Sequence, residues 1–158
     1  KEGDGKSPAG VFELGTVFGF APAEQMKGLH MPYLQITESM ECVDDVRSKY
    51  YNRILDRRQV ENPDWQSSEK MRKIFPEYEL GVVVNYNTRE PEAGIGSCIF
   101  LHIRGGPDKP TSGCTAMSTG AMKKLAFWLD GKKHPVIVQL TKPLYQQLIK
   151  AWALPEVE

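Results

Sequence analysis

The sequence predicts a mainly-β domain with a few helices at its periphery. Residues 78–86 (Tyr-Glu-Leu-Gly-Val-Val-Val-Asn-Tyr) are β-branched and apolar on both faces, the pattern of a strand buried in a sheet. Residues 97–103 (Ser-Cys-Ile-Phe-Leu-His-Ile) form a second such run, and residues 135–140 read as a third strand. Helical periodicity is confined to two stretches near the C-terminal end.

Residues 1–22 are rich in Gly and Pro around Val11, Phe12, Glu13 and Leu14, which read as a short strand between turns. Residues 42–75 read as polar and irregular. Asp44, Asp45, Asn52, Asn62, Pro63 and Asp64 are turn formers there, and the Arg57-Arg58 pair and residues 67–75 have the character of a helical turn or two. Residues 87–96 are a turn-rich connection. In the strand that follows, a period of two places Cys98, Phe100 and His102 on one face and Ile99, Leu101 and Ile103 on the other. From Ser118 to Asp130, the apolar residues Met122, Leu125, Ala126 and Leu129 recur at helical spacing, with Ser118 or Thr119 as N-cap and Gly131 as stop. Pro143 starts a last helix that carries Leu144, Leu148 and Trp152 on one stripe and ends before Pro155.

A chain of 158 residues is most simply one domain, residues 1–158, with a self-sufficient core. Its 41% hydrophobic and 25% charged residues are ordinary for a globular protein. Twenty basic and twenty acidic residues cancel, so nothing favours a nucleic acid or an anionic membrane as partner. No apolar run approaches the roughly 20 residues of a membrane span. The chain opens on Lys1-Glu2-Gly3 rather than Met, which reads as a cut or processed end, so targeting is left open. Of the three cysteines, Cys42 and Cys98 either pair, leaving Cys114 free, or are small buried apolar residues.

The chemistry concentrates in residues 102–117. Cys114 follows Gly113 on a turn, and His102 stands twelve residues upstream at the end of an apolar run. A thiol attacks a carbonyl carbon as thiolate, and a neighbouring imidazole is the usual means of making one at neutral pH. Gly105, Gly106, Pro107 and Pro110 form a loop able to fold the two side chains together. Cys114 is therefore the expected nucleophile and His102 the expected base. The helix beginning near Ser118 is expected to favour the thiolate through its dipole. Thr111 and Ser112 are candidates to orient the imidazole or donate to an oxyanion, the alternative being ordinary turn hydroxyls. Arg104 is a candidate for a bidentate contact with a substrate carboxylate, the alternative being a solvated loop arginine. Asp44, Asp45 and Asn52 either shape a polar cleft or cap turns. His30 and His134 read as loop residues. No Cys-x-x-Cys or His-x-x-x-His spacing occurs, so neither a metal site nor a cofactor is expected.

Residues 96–102 (Gly-Ser-Cys-Ile-Phe-Leu-His) with residues 110–117 (Pro-Thr-Ser-Gly-Cys-Thr-Ala-Met) closely resemble the catalytic signature of L,D-transpeptidase (YkuD-type) domains. Residues 3–12 (Gly-Asp-Gly-Lys-Ser-Pro-Ala-Gly-Val-Phe) resemble a second segment of that family, and the likeness spans residues 1 to about 154. The Cys42-Val-Asp-Asp45, Tyr51-Asn52 and Asp64-Trp65 pieces resemble one subgroup. The spacer between histidine and cysteine is shorter here, Ser112 replaces the family's histidine before Gly-Cys, and Met117 replaces its arginine.

The resemblance implies a closed or nearly closed β-barrel or sandwich-like sheet with flanking helices, and that strands usually found ahead of residue 3 are missing. It implies a cysteine acyltransferase acting on peptidoglycan stem peptides in the periplasm or cell envelope. Cys114 would be acylated, His102 would be the general base, and the Gly113 and Cys114 N–H groups would form much of the oxyanion hole. The alternatives are an L,D-carboxypeptidase using the same pair, a thiol hydrolase on another peptide, or a non-catalytic peptidoglycan-binding envelope protein.

Overall fold

Ten residues of one strand organise the fold by serving two sets of partners. In a computed structural model that describes residues 1–156, the elements are β1 (Gly10–Gly19), β2 (Tyr33–Gln35), β3 (Met40–Cys42), β4 (Ile54–Asp56), β5 (Glu69–Lys70), β6 (Leu80–Val84), β7 (Phe100–Ile103), β8 (Thr115–Met117), α1 (Thr119–Trp128), β9 (Val136–Gln139) and α2 (Lys142–Leu148). The last two residues of the expected domain lie outside the described ones. The first four residues of β1 pair antiparallel with β9, and its second half pairs with β6 on one side and β2 on the other. The register against β6 shifts between Leu14 and Val17, a bulge that bends the strand from one partner to the next. The six-stranded sheet runs β2-β1-β6-β7-β8 with β9 on β1, and a separate three-stranded sheet runs β4-β3-β5.

The mainly-β expectation holds, but among the described residues the strands do not close into a barrel. β2 and β8 end the six-stranded path, and β8 pairs only with β7. β8 is three residues long and its chain turns directly into α1, too little strand to carry the sheet round.

Both faces of the central strands are covered, which explains their apolar runs. One core holds Leu14, Val17, Val82, Leu101, Ile103 and, from α1, Met122 and Ala126. The other holds Phe18, Ile36, Met71, Tyr78, Cys98 and Phe100. The alternation read from residues 97–103 is thus observed, with Ile99, Leu101 and Ile103 in the first core and Cys98 and Phe100 in the second. The strand itself begins only at Phe100, because Cys98 adopts a left-handed φ of 53°.

Residues 42–75, expected to be irregular, contain β4, β5 and the end of β3, linked by 3-10 turns. Strands of two or three residues are too short to display an alternation. α1 begins where its N-cap predicts, with the Ser118 Oγ accepting from the Ala121 N–H at 3.3 Å. α2 ends at Leu148, short of Pro155, so Trp152 lies outside it; α2 has no buried residue, and Leu144 and Trp152 are exposed, so the expected apolar stripe packs no core. Among the described residues, no helix is long and apolar enough to cross a membrane.

Candidate active site

His102 is the third residue of β7 and is 5% exposed. Its Nδ1 lies 2.7 Å from the Ile103 carbonyl oxygen. A carbonyl only accepts, so Nδ1 carries the proton and Nε2 is left as the basic nitrogen. The Tyr78 ring meets the imidazole edge-on at 5.5 Å and packs in turn on Phe18 and Phe100. Burial lowers the His102 pKa, the Ile103 carbonyl and the Glu77 charge work against that, and Lys109 adds to it.

Cys114 is brought to this histidine by the parallel β7–β8 ladder, in which Leu101 faces Thr115 and His102 faces Ala116. The Phe100 N–H donates to the Cys114 Sγ at 3.3 Å, and the thiol donates to the Cys98 carbonyl at 3.4 Å. Gly113 ahead of it has φ 125°, and a Cβ there would stand 3.0 Å from the Lys6 carbonyl oxygen, so the turn requires glycine. The Thr111 hydroxyl donates to the Cys114 carbonyl at 2.6 Å and so pins the turn. Ser112 is exposed beside it.

The helix dipole does not reach this thiol. β8 intervenes, and three residues of strand rise by roughly 10 Å. Burial dominates instead and pushes the thiol up to about 12, with the Phe100 N–H opposing and Glu69 adding. The pair is thiol and neutral imidazole, with the S–H directed at the Cys98 carbonyl.

Cys114 and His102 line one cavity of about 320 Å³, together with Thr111, Ser112 and Tyr78. Four carboxylates, Glu2, Asp44, Glu69 and Glu77, also line it. Burial pushes Glu69 up to about 7 against the hydrogen bond it accepts from the Tyr78 hydroxyl, with Asp44 and Glu2 adding. Arg104 is exposed just past β7, where its N–H donates to the Met117 carbonyl at 2.7 Å, and it is not part of the cavity wall. Among the described residues, the lysine or arginine in that wall is Lys109, paired with Glu77. No spacing signal marked Glu69 or Glu77, because both arrive from segments distant in sequence. Lys109 sits inside the His102-to-Cys114 loop, and that position was the available clue.

The chain's other polar candidates divide. Asp44 lines the cavity. Asp45 accepts from the Arg47 and Gln66 N–H groups and ties two loops. Asn52 accepts from the Cys98 N–H at 2.9 Å and donates to the Tyr86 and Asn87 carbonyls, which holds the backbone entering β7. Cys42 and Cys98 are disulfide-bonded, so of the two open readings the pairing is the one observed, and Cys114 is free. The bond joins β3 to the same segment. Glu2 accepts from the Tyr51 and Ser97 hydroxyls, which brings the N-terminal segment against the cavity.

The family model for the L,D-transpeptidase catalytic domain (YkuD) matches residues 1–138. No curated protein and no solved structure gives a significant match. The matched span covers most of the chain and includes both the glycine-rich N-terminal segment and the His102-to-Cys114 loop that meet at this cavity; the chain belongs to the L,D-transpeptidase catalytic-domain family.

Proposed function

We propose that the chain is one catalytic domain that carries out acyl exchange on peptidoglycan stem peptides. The observation that carries this is the pair at one cavity, His102 on β7 and Cys114 just ahead of its parallel neighbour β8, with the His102 tautomer set by the Ile103 carbonyl so that Nε2 is the basic nitrogen. His102 Nε2 takes the Cys114 proton as Sγ attacks the carbonyl of the L-centre in an L,D peptide bond. The tetrahedral oxyanion faces the Gly113 and Cys114 N–H groups. His102 then returns the proton to the leaving amine, the terminal D-amino acid departs, and a Cys114 thioester remains. An amine or water resolves the thioester. The acidic wall supports the amine, since Glu2 and Asp44 attract an ammonium group to the acylated thiol and His102 Nε2, neutral again once the first amine has left, takes its proton as the nitrogen attacks. The disulfide supports an oxidising compartment and hence the cell envelope.

A second reading, peptidoglycan binding without catalysis, draws on the raised pKa of the Cys114 thiol, which leaves it protonated. Intact-mass spectrometry after incubation with a carbapenem and, separately, with a tetrapeptide stem tests both. A single adduct that vanishes in Cys114→Ala is expected, with released products that distinguish transfer from hydrolysis. Absence of any adduct in folded protein would decide for the binding reading.

A further inference from the structure

Glu77 belongs to the 3-10 turn Glu77–Glu79 ahead of β6 and is 5% exposed. Its Oε1 pairs with the Lys109 ammonium, while its Oε2 is buried with no hydrogen-bond partner among the described residues. Lys109 is the opposite kind of residue, with a side chain 62% exposed on the Gly- and Pro-rich loop between His102 and Cys114. Opening this pair costs little on the lysine's side, because water or a second carboxylate receives the ammonium, but it leaves a buried charge on Glu77 that calls for another cation. Gly105 keeps room for the pair, since a Cβ there would fall on Glu77 Oε1 and crowd the Lys109 Cδ. Both partners line the cavity with His102 and Cys114.

An L,D peptide bond one residue from the chain end leaves a free carboxylate beside the scissile carbonyl, and a site for it needs a cation. Arg104 lies outside the wall and Lys109 in it. We infer that Lys109 binds the terminal carboxylate of the acyl donor, and that Glu77 is the internal carboxylate it leaves to do so, which makes Glu77 a positioning residue for His102. This rests on the acyl-exchange reading. The groups bearing on His102 are Glu77 and the Tyr78 ring from the turn before β6, Lys109 from the loop and Cys114 ahead of β8, with Glu69 behind the Tyr78 hydroxyl. When Lys109 moves to the substrate, Glu77 keeps its charge beside His102 without a counterion. The imidazolium formed as Nε2 takes the thiol proton is then better stabilised, so donor binding strengthens the base.

Binding is measured by calorimetry in the Cys114→Ala chain, which cannot turn over, with a stem tetrapeptide ending in a free carboxylate and with its C-terminal amide. The free acid is expected to bind about tenfold more tightly, and Lys109→Met should erase that preference. Equal affinity for the two peptides, a preference that survives Lys109→Met, or no binding of either would overturn the proposal. By NMR, the His102 imidazole should titrate at higher pH with the acid peptide bound, an effect lost in Glu77→Gln and restored in Glu77→Asp. An unmoved titration in the Lys109-intact protein would overturn the role of Glu77. Should Glu77→Gln fail to fold, the exposed Lys109→Met carries the test. Failure of the acyl-exchange reading shows separately, as a wild-type protein without a Cys114 adduct.

Discussion

Replacing Glu69 with Gln should make the protein more stable at pH 8 and nearly unchanged at pH 5. The Glu69 Oε2 accepts the Tyr78 hydroxyl at 2.5 Å, and a glutamine carbonyl can accept the same bond without ever ionising. Burial, opposed by that bond and reinforced by Asp44 and Glu2, moves the carboxyl from its ordinary 4.5 to about 7. The folded protein therefore holds the proton more tightly than the unfolded chain, and the stability this contributes is lost as pH rises from 4.5 through 7. At about 1.4 kcal/mol per pH unit the full loss is about 3 kcal/mol, and partial solvent screening brings the lower end to about 1.5 kcal/mol. Urea denaturation followed by tryptophan fluorescence at both pH values measures it. The variant should gain about 1.5 to 3 kcal/mol at pH 8 and less than about 1 kcal/mol at pH 5. A variant less stable than wild type at pH 8, or a gain equal at the two pH values, would refute the reasoning.

The buried thiol makes a kinetic claim. With Cys114 moved from 9.0 to about 12, alkylation by iodoacetamide at pH 8 in substrate-free protein should run roughly tenfold to a thousandfold slower than free cysteine, the range reflecting the greater intrinsic nucleophilicity of a high-pKa thiolate; a rate equal to free cysteine would contradict the burial argument. The disulfide closes a separation of 56 residues, so the Cys42→Ala/Cys98→Ala variant should lose about 4 kcal/mol in the same urea assay, and a loss under about 1 kcal/mol would show that the Asn52 hydrogen bonds hold the segment unaided. Gly113→Ala forces a Cβ onto φ 125° and toward the Lys6 carbonyl, with an expected cost of about 1 to 3 kcal/mol and a matching fall in acylation rate; an unchanged melting temperature would mean that the turn relaxes freely.

Much of the site was legible because its chemistry is local. His102 and Cys114 share one short loop, and Gly113 announces a turn that a side chain would obstruct. Side-chain direction in β7 was legible as well, since successive residues alternate faces whichever strands pair with them. The three-stranded sheet was not, because strands as short as Glu69–Lys70 carry no readable period. The environment of the thiol was misjudged for a related reason. Helix α1 is visible in the sequence, but β8, which separates it from Cys114, exists only through its parallel pairing with β7.

By itself the sequence determined the mainly-β class, the cores on the two sides of the central strands, the candidate pair Cys114 and His102, and the family, all of which rest on residue types at short spacing. Tertiary structure alone decided that Cys42 pairs with Cys98, that Glu2, Asp44, Glu69 and Glu77 meet in one cavity, and that Lys109 rather than Arg104 faces it. It also decided the resting protonation of the thiol, because a pKa follows the solvent and charge around a group, and those come from parts of the chain far away in sequence.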